Sequence, residues 1–87
     1  NNMSIEEIKH YITQHNDEAI FADGFDDALI GVGVVFNRSV ATYDMRKCIN
    51  ILINKDDMTE EEAVDFMSYN ITGSYVGENT PVFVELF

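Results

Sequence analysis

The side chains able to do chemistry in this 87-residue chain are few: two histidines, one cysteine and sixteen acids. His10 and His15 lie five apart, about 140° around a helix, so they do not converge on one metal as an i, i+4 pair does. They read as structural or solvated histidines. Cys48 has no histidine near it in sequence, so a nucleophilic pair would need a tertiary contact. At an inward helical position the thiol acts as a small hydrophobe. Asp23, Asp26 and Asp27 could offer oxygen ligands to Mg²⁺ or Ca²⁺, the basis of a metal-dependent hydrolase. A polar turn, in which aspartates bond to nearby backbone, accounts for the same three residues. Residues 54–65 imitate a calcium loop, but Met58 takes the fifth position, Thr59 replaces the glycine and Asp65 replaces the closing glutamate. Gly31-Val32-Gly33 lacks the third glycine and the helix of a dinucleotide site, and the loop from Gly77 to Pro81 lacks the lysine of a phosphate loop. These residues therefore predict a protein that is not an enzyme and carries neither cofactor nor metal.

Two features survive. Asp56, Asp57, Glu60, Glu61, Glu62 and Asp65 crowd a predicted helix start. Helical rise packs Glu60 to Asp65 into about 7.5 Å, against one charge per roughly 1.7 Å of duplex DNA. Such a patch could imitate nucleic acid, and it is also what a solvated, dipole-favoured helix start looks like. The second feature is the closing strand, Val82 to Phe87, which is apolar on both faces around Glu85. Such a strand is either central in a sheet or an edge covered by a partner, and a homodimer through it is expected.

The elements that position these residues follow from spacing. Ser4-Ile5-Glu6-Glu7 fits a capping box, with Met3 and Ile8 as its hydrophobic staple. Ile5, Ile8, Ile12 and His15 then recur at helical spacing, and Asn16-Asp17 ends the helix. Residues 19–43 read as β: a short run Ala19 to Ala22, a turn over Asp23 to Asp27, a strand Leu29 to Phe36, and another from Ser39 to Tyr43. A helical start over Phe25 to Ile30 competes with that reading. In the long strand Ile30, Val32, Val34 and Phe36 share one face, while Leu29, Gly31, Gly33 and Val35 share the other. Two glycines on one face suggest a bulge or a close approach by a packed helix. Asp44 caps a helix carrying Met45, Cys48, Ile49, Leu52 and Ile53 inward. Thr59 to Glu62 forms a second capping box, ahead of Ala63, Phe66, Met67 and Ile71, with Gly73 as the terminating glycine. The expected fold is α+β: a small antiparallel sheet of three to four strands, arranged as a meander and packed with three helices.

Composition agrees with one folded domain over residues 1–87, at 46% hydrophobic and 24% charged residues. Met3 is the expected native start, which would make Asn1-Asn2 a remnant of expression. The apolar run from Ala28 to Phe36 is far short of the roughly 20 residues of a membrane helix. With one cysteine and no basic-then-apolar leader, a cytoplasmic protein is expected. The net charge of -11 sits unevenly: -6 over residues 1–37, +3 over 38–55 and -8 over 56–87. Direct nucleic-acid binding is thereby disfavoured, since most of the surface would repel phosphate.

Several longer stretches stand out together. They are Asp23-Gly24-Phe25-Asp26-Asp27-Ala28-Leu29-Ile30-Gly31-Val32, then Tyr43-Asp44 with Lys47-Cys48-Ile49, and Met58-Thr59-Glu60-Glu61-Glu62-Ala63-Val64. The most specific is the Gly-x-Tyr-Val-Gly-Glu-x-Thr-Pro stretch within residues 70–83. On these pieces residues 23–84 resemble a family of small acidic proteins encoded by bacteriophages and prophages, of unassigned activity. The family's basic, proline-containing turn is reduced here to Phe36-Asn37-Arg38-Ser39. The resemblance implies a phage context and supplies no substrate. The expected function is binding of a host or phage protein in the host cytoplasm. The expected surface combines Asp23, Phe25, Asp26 and Asp27 of the turn with Tyr75, Glu78 and Asn79 of the loop. The alternative is an acidic mimic of DNA, acting on a nuclease or defence enzyme through Asp56, Asp57, Glu60, Glu61, Glu62 and Asp65.

Overall fold

A computed structural model describes residues 3–72 and 75–87, the side chain of Thr72 excepted. The expected terminating residue Gly73 and the expected remnant Asn1-Asn2 lie outside the described residues. The chain forms helix α1 (Ile5–His15), a 3₁₀ turn at Asp26–Ala28, and strands β1 (Leu29–Val35) and β2 (Arg38–Asp44). Helices α2 (Met45–Asp56) and α3 (Glu60–Phe66), a π-wound turn (Met67–Thr72) and strand β3 (Val82–Val84) follow. The α+β class holds, with three helices and three strands among the described residues.

Local chemistry explains the helix starts. The Ser4 hydroxyl accepts from the Glu7 N–H at 3.1 Å while the Glu7 carboxylate accepts from the Ser4 N–H at 2.9 Å. Thr59 and Glu62 make the same reciprocal pair at 3.1 and 2.9 Å. Asp44 accepts from the Lys47 N–H at 3.2 Å to open α2. Each pair satisfies backbone donors that a helix start otherwise leaves unpaired. α2 ends at Asp57, whose left-handed backbone (φ 56°) is one that an aspartate tolerates.

The core lies between the sheet and the helices, built from Ile8 and Ile12 of α1, Leu29, Ala41 and Tyr43 of the sheet, Cys48, Ile49 and Leu52 of α2, and Ala63 and Met67. Tyr43 is wholly buried. Its ring stacks on Phe83 at 5.3 Å, and its hydroxyl accepts from the Ala22 N–H at 2.8 Å.

The structure departs from the sequence-based expectations at four places. The sheet has the order β1-β2-β3. β1 and β2 form an antiparallel hairpin, but β3 runs parallel to β2, so the sheet is mixed rather than an antiparallel meander. A parallel neighbour requires a crossover, and α2 and α3 supply it. Ala19 to Ala22 forms no strand; its N–H groups bond to Asn16 O, Asn79 O and the Tyr43 hydroxyl instead. β3 spans three residues at a sheet edge, which removes the central position from the two readings of the closing strand.

The fourth departure concerns facing. The register slips between Leu29 and Gly31, leaving Ile30 as the extra residue of a bulge. Leu29 pairs with Tyr43 and Val32 with Ala41, and Tyr43 and Ala41 share a face. The bulge therefore puts Leu29 on the face of Val32, against strict alternation. The other face is held by Val40, also fully buried, where Gly33 lies against Val40, Thr42 and Val82. On α1, His15 is exposed and stacked on Tyr11, and Asn16 takes the buried place instead.

The two strand glycines now separate into different roles. A methyl group on Gly33 would stand 2.8 Å from the Thr42 hydroxyl, whereas one on Gly31 would meet nothing within 4 Å. Gly33→Ala is expected to destabilise the fold by about 1–3 kcal/mol. Gly31→Ala is expected to be neutral or to stabilise by up to about 1 kcal/mol, through a less flexible unfolded chain. Urea unfolding followed by circular dichroism measures both, and equal losses would contradict the close approach at Gly33.

Candidate functional site

The turn and the loop expected to form one surface are each occupied within the fold. Phe25 is 6% exposed and belongs to the core, so it offers a partner no surface. Its placement follows from the 3₁₀ turn after it, which directs the ring inward where sequence suggested an exposed aromatic. Asp26 accepts from Lys9 at 2.8 Å, and this bond raises the lysine's pKa. Lys9 also lies 5.6 Å from the centre of the Phe21 ring. Asp27 faces Lys55 at 3.9 Å, and Asp23 is exposed.

In the loop, the Asn79 side chain accepts from Asn16 at 2.9 Å and its carbonyl accepts from the Ile20 N–H at 3.3 Å. Glu78 lies 3.3 Å from Arg38, which also meets Glu18 at 3.1 Å. Thr80 turns back on the loop, accepting from the Val76 N–H at 3.0 Å and donating to the Gly77 carbonyl. Tyr75 is exposed. The turn is thus tied to α1 and α2, while the loop is tied to the end of α1 and the start of β2. Asn16, read from the sequence only as the end of α1, is the joint: its amide donates to Ser39 O as well as to Asn79, and its oxygen accepts from the Glu18 N–H.

The acidic residues are placed differently. Glu60 is gripped by Arg46 through two bonds of 3.0 and 2.8 Å, which lower the carboxyl's pKa and raise that of the guanidinium. Glu61 is exposed. Asp56, Asp57, Glu62 and Asp65 line one open groove of about 530 Å³, together with Met58, Phe66, Tyr69 and Asn70. Asp56 and Asp57 come from the end of α2, Glu62 and Asp65 from α3, and Tyr69 and Asn70 from the π-wound turn. Phe66 and Tyr69 are three residues apart and line the groove together, Phe66 half-buried and Tyr69 exposed. Carboxylates around aromatic and thioether side chains suit a lysine or arginine, through charge-assisted bonds and cation–π contact. Spacing marks the acids; the i, i+3 pair Phe66 and Tyr69 is equally visible in the sequence, but the apolar stripe presents Phe66 only as an inward residue of its helix.

The remaining chemistry is quiet. No three or more His, Cys, Asp or Glu side chains among the described residues are grouped to hold a metal ion. No helix among them is long and apolar enough to cross a membrane. The chain matches no known family model, no curated protein and no solved structure.

Cys48 is buried, and burial pushes its thiol up from 9.0 to about 12. A thiolate is the reactive form, so native Cys48 is expected to resist iodoacetamide near neutral pH and to react once the chain is unfolded. The same shift predicts a pH effect. Between about 9 and 12 the unfolded thiol loses its proton while the folded one keeps it, so stability falls as pH rises through that window and is complete below it. Urea midpoints against pH should decline more steeply for the wild type than for Cys48→Ala; parallel curves would remove the thiol as the cause.

Proposed function

We propose that this protein is not an enzyme and acts by binding a basic surface of another protein through the groove between the end of α2 and α3. The phage context implied by the sequence resemblance makes a host or phage protein in the bacterial cytoplasm the natural partner. The observation that carries the reading is the distribution of counter-charge. Lys9, Arg38, Arg46 and Lys55 each face a carboxylate of the chain itself, at Asp26, Glu18 with Glu78, Glu60 and Asp27. No such ion pair reaches Asp56, Asp57, Glu62 or Asp65 among the described residues, and these four share the groove. Their repulsion raises the free energy of the isolated chain, and a cationic ligand relieves it. The groove also offers apolar area at Met58, Phe66 and Tyr69, which bare charge attraction lacks.

Mimicry of nucleic acid fits this geometry less well. An unbroken row of carboxylates would serve it, whereas Arg46 closes on Glu60 and places a cation in the row. The capping carboxylate of Glu62 is likewise held by the Thr59 N–H.

The test uses immobilised lysine- and arginine-rich peptides, with purified full chain in solution. Binding is expected to weaken at least tenfold as salt rises from about 50 to 200 mM, the signature of released counterions. Asp56→Lys with Asp65→Lys should abolish it, and Tyr69→Ala should weaken it severalfold at fixed charge. Binding that ignores all three substitutions, yet disappears in Glu78→Ala with Asn79→Ala, would move the site to the loop and overturn the groove.

A further inference from the structure

The edge of the sheet formed by β1 carries an arrangement that the acidic groove does not use. β1 is an outer strand of seven residues. It contains no charged residue and no proline, and the uncharged stretch runs from Ala28 to Asn37 within a chain of net charge -11. Natural edge strands are commonly protected by charges, prolines, shortness or bulges; β1 has only the bulge at Ile30, near its start, which leaves Gly31 to Val35 unprotected. Its side chains are exposed to an unusual degree. Val32 is 38% exposed, Val34 73% and Phe36 90%.

Phe36 is the telling residue. With Asn37 it forms the two-residue hairpin turn, both at positive φ (49° and 68°). Asparagine and glycine are suited to that conformation, whereas a bulky side chain is strained in it. The strain holds a phenyl ring in water at the tip of the hairpin. Beside the middle of the strand lies an apolar hollow of about 190 Å³, lined by Met3, Ile8, Tyr11, Gly31 and Val32. A projecting apolar ring and an apolar hollow therefore flank one uncharged edge.

We infer that β1 is the interface for a second copy of this chain, paired antiparallel edge to edge about a two-fold axis at Gly33. A two-fold interface must be complementary to itself, and this edge meets the condition. In that register Val32 lies opposite Val34 of the second copy, so the exposed Val34 of each copy comes against the hollow beside Gly31 and Val32 of the other, while Phe36 reaches past it toward the bulge at Ile30. Charge selects the occupant too. Two chains of net charge -11 repel wherever acids face acids, and this stretch lets them approach without opposing carboxylates. A basic partner would gain nothing on it. Met3, Tyr11, Val34 and Phe36 are 42%, 45%, 73% and 90% exposed, a surface of only a few large side chains beside the paired main chain, at the low end of specific interfaces, so the dimer is weak and concentration-dependent.

Sedimentation velocity of the full chain, from about 1 µM to 1 mM, tests this directly. The wild type is expected to pass from monomer to dimer across that range, and added salt should lower the midpoint by screening the acids. Val34→Lys and Phe36→Asn should each raise the dimer dissociation constant at least tenfold. Phe36→Asn should do so with an unchanged or higher urea midpoint, because asparagine suits the turn; its loss of dimer is then not loss of fold. Phe87→Ser, at the exposed end of the chain, should leave association unchanged. A wild type that stays monomeric throughout, or folded Val34→Lys and Phe36→Asn variants that associate like wild type, would overturn the assignment. Dissociation by Phe87→Ser alone would also overturn it, placing the contact at the closing strand.

Discussion

Tyr43 is the side chain on which the separate parts of the chain close. It sits in the middle strand, opposite Leu29 of β1 and in register with Phe83 of β3. Its hydroxyl reaches the N–H of Ala22 in the segment before β1. Burying the ring is favourable by area alone, but its position explains more than its area does. β3 has only three residues, all in register with β2. The stacked pair of Tyr43 and Phe83 adds a side-chain attachment to that backbone pairing. Everything between the two residues, α2, α3 and the loop up to β3, is thereby an anchored crossover. Where the two helices meet is set by the length of that crossover and by the Arg46–Glu60 contact across it. The groove lies at that meeting point.

Charge follows the same architecture. The basic residues are spent on joining elements: Lys9 binds α1 to the 3₁₀ turn, Lys55 faces that turn from α2, and Arg38 draws Glu18 and Glu78 to the start of β2. These are exposed or half-exposed pairs, each worth about 0–1 kcal/mol. They act by fixing where loops lie more than by adding stability. The consequence is a surface whose positive charge is largely cancelled from within. Among the described residues no ion pair reaches Asp56, Asp57, Glu62 or Asp65 at the α2–α3 junction.

The helices were legible because their determinants are local. Ser4, Asp44 and Thr59 each declare a start through side chains three residues away, and the apolar stripes of α1 and α2 fall where spacing puts them. The closing strand and the middle of the sheet were legible as segments but not in their pairing. Nothing within Val82 to Val84 states that its neighbour is parallel; that direction comes from the crossover and from Phe83 finding Tyr43. The bulge at Ile30 escaped strict alternation for the same reason, since a one-residue slip exists only relative to the partner strand. At the candidate site the acids and the i, i+3 pair Phe66 and Tyr69 stand in the sequence, but that the end of α2 meets α3 to enclose them is a tertiary fact no local spacing states. Phe25 failed in the opposite sense: an aromatic amid aspartates suggests exposure, yet a single 3₁₀ turn buries it.

The two surfaces differ in what the fold gives up to keep them. A left-handed phenylalanine costs about 1–2 kcal/mol relative to its relaxed conformation, and its ring gains nothing from burial at 90% exposure. Asparagine at the same position would fold better. The groove carries a different cost, the mutual repulsion of four carboxylates, which salt reduces and a cation removes. Because one cost is steric and the other electrostatic, salt separates the two proposals: it would weaken the proposed capture of a basic partner and strengthen the proposed contact between like-charged copies. Opposed salt responses are therefore what two independent surfaces on this chain must show, and a single shared surface could not show both.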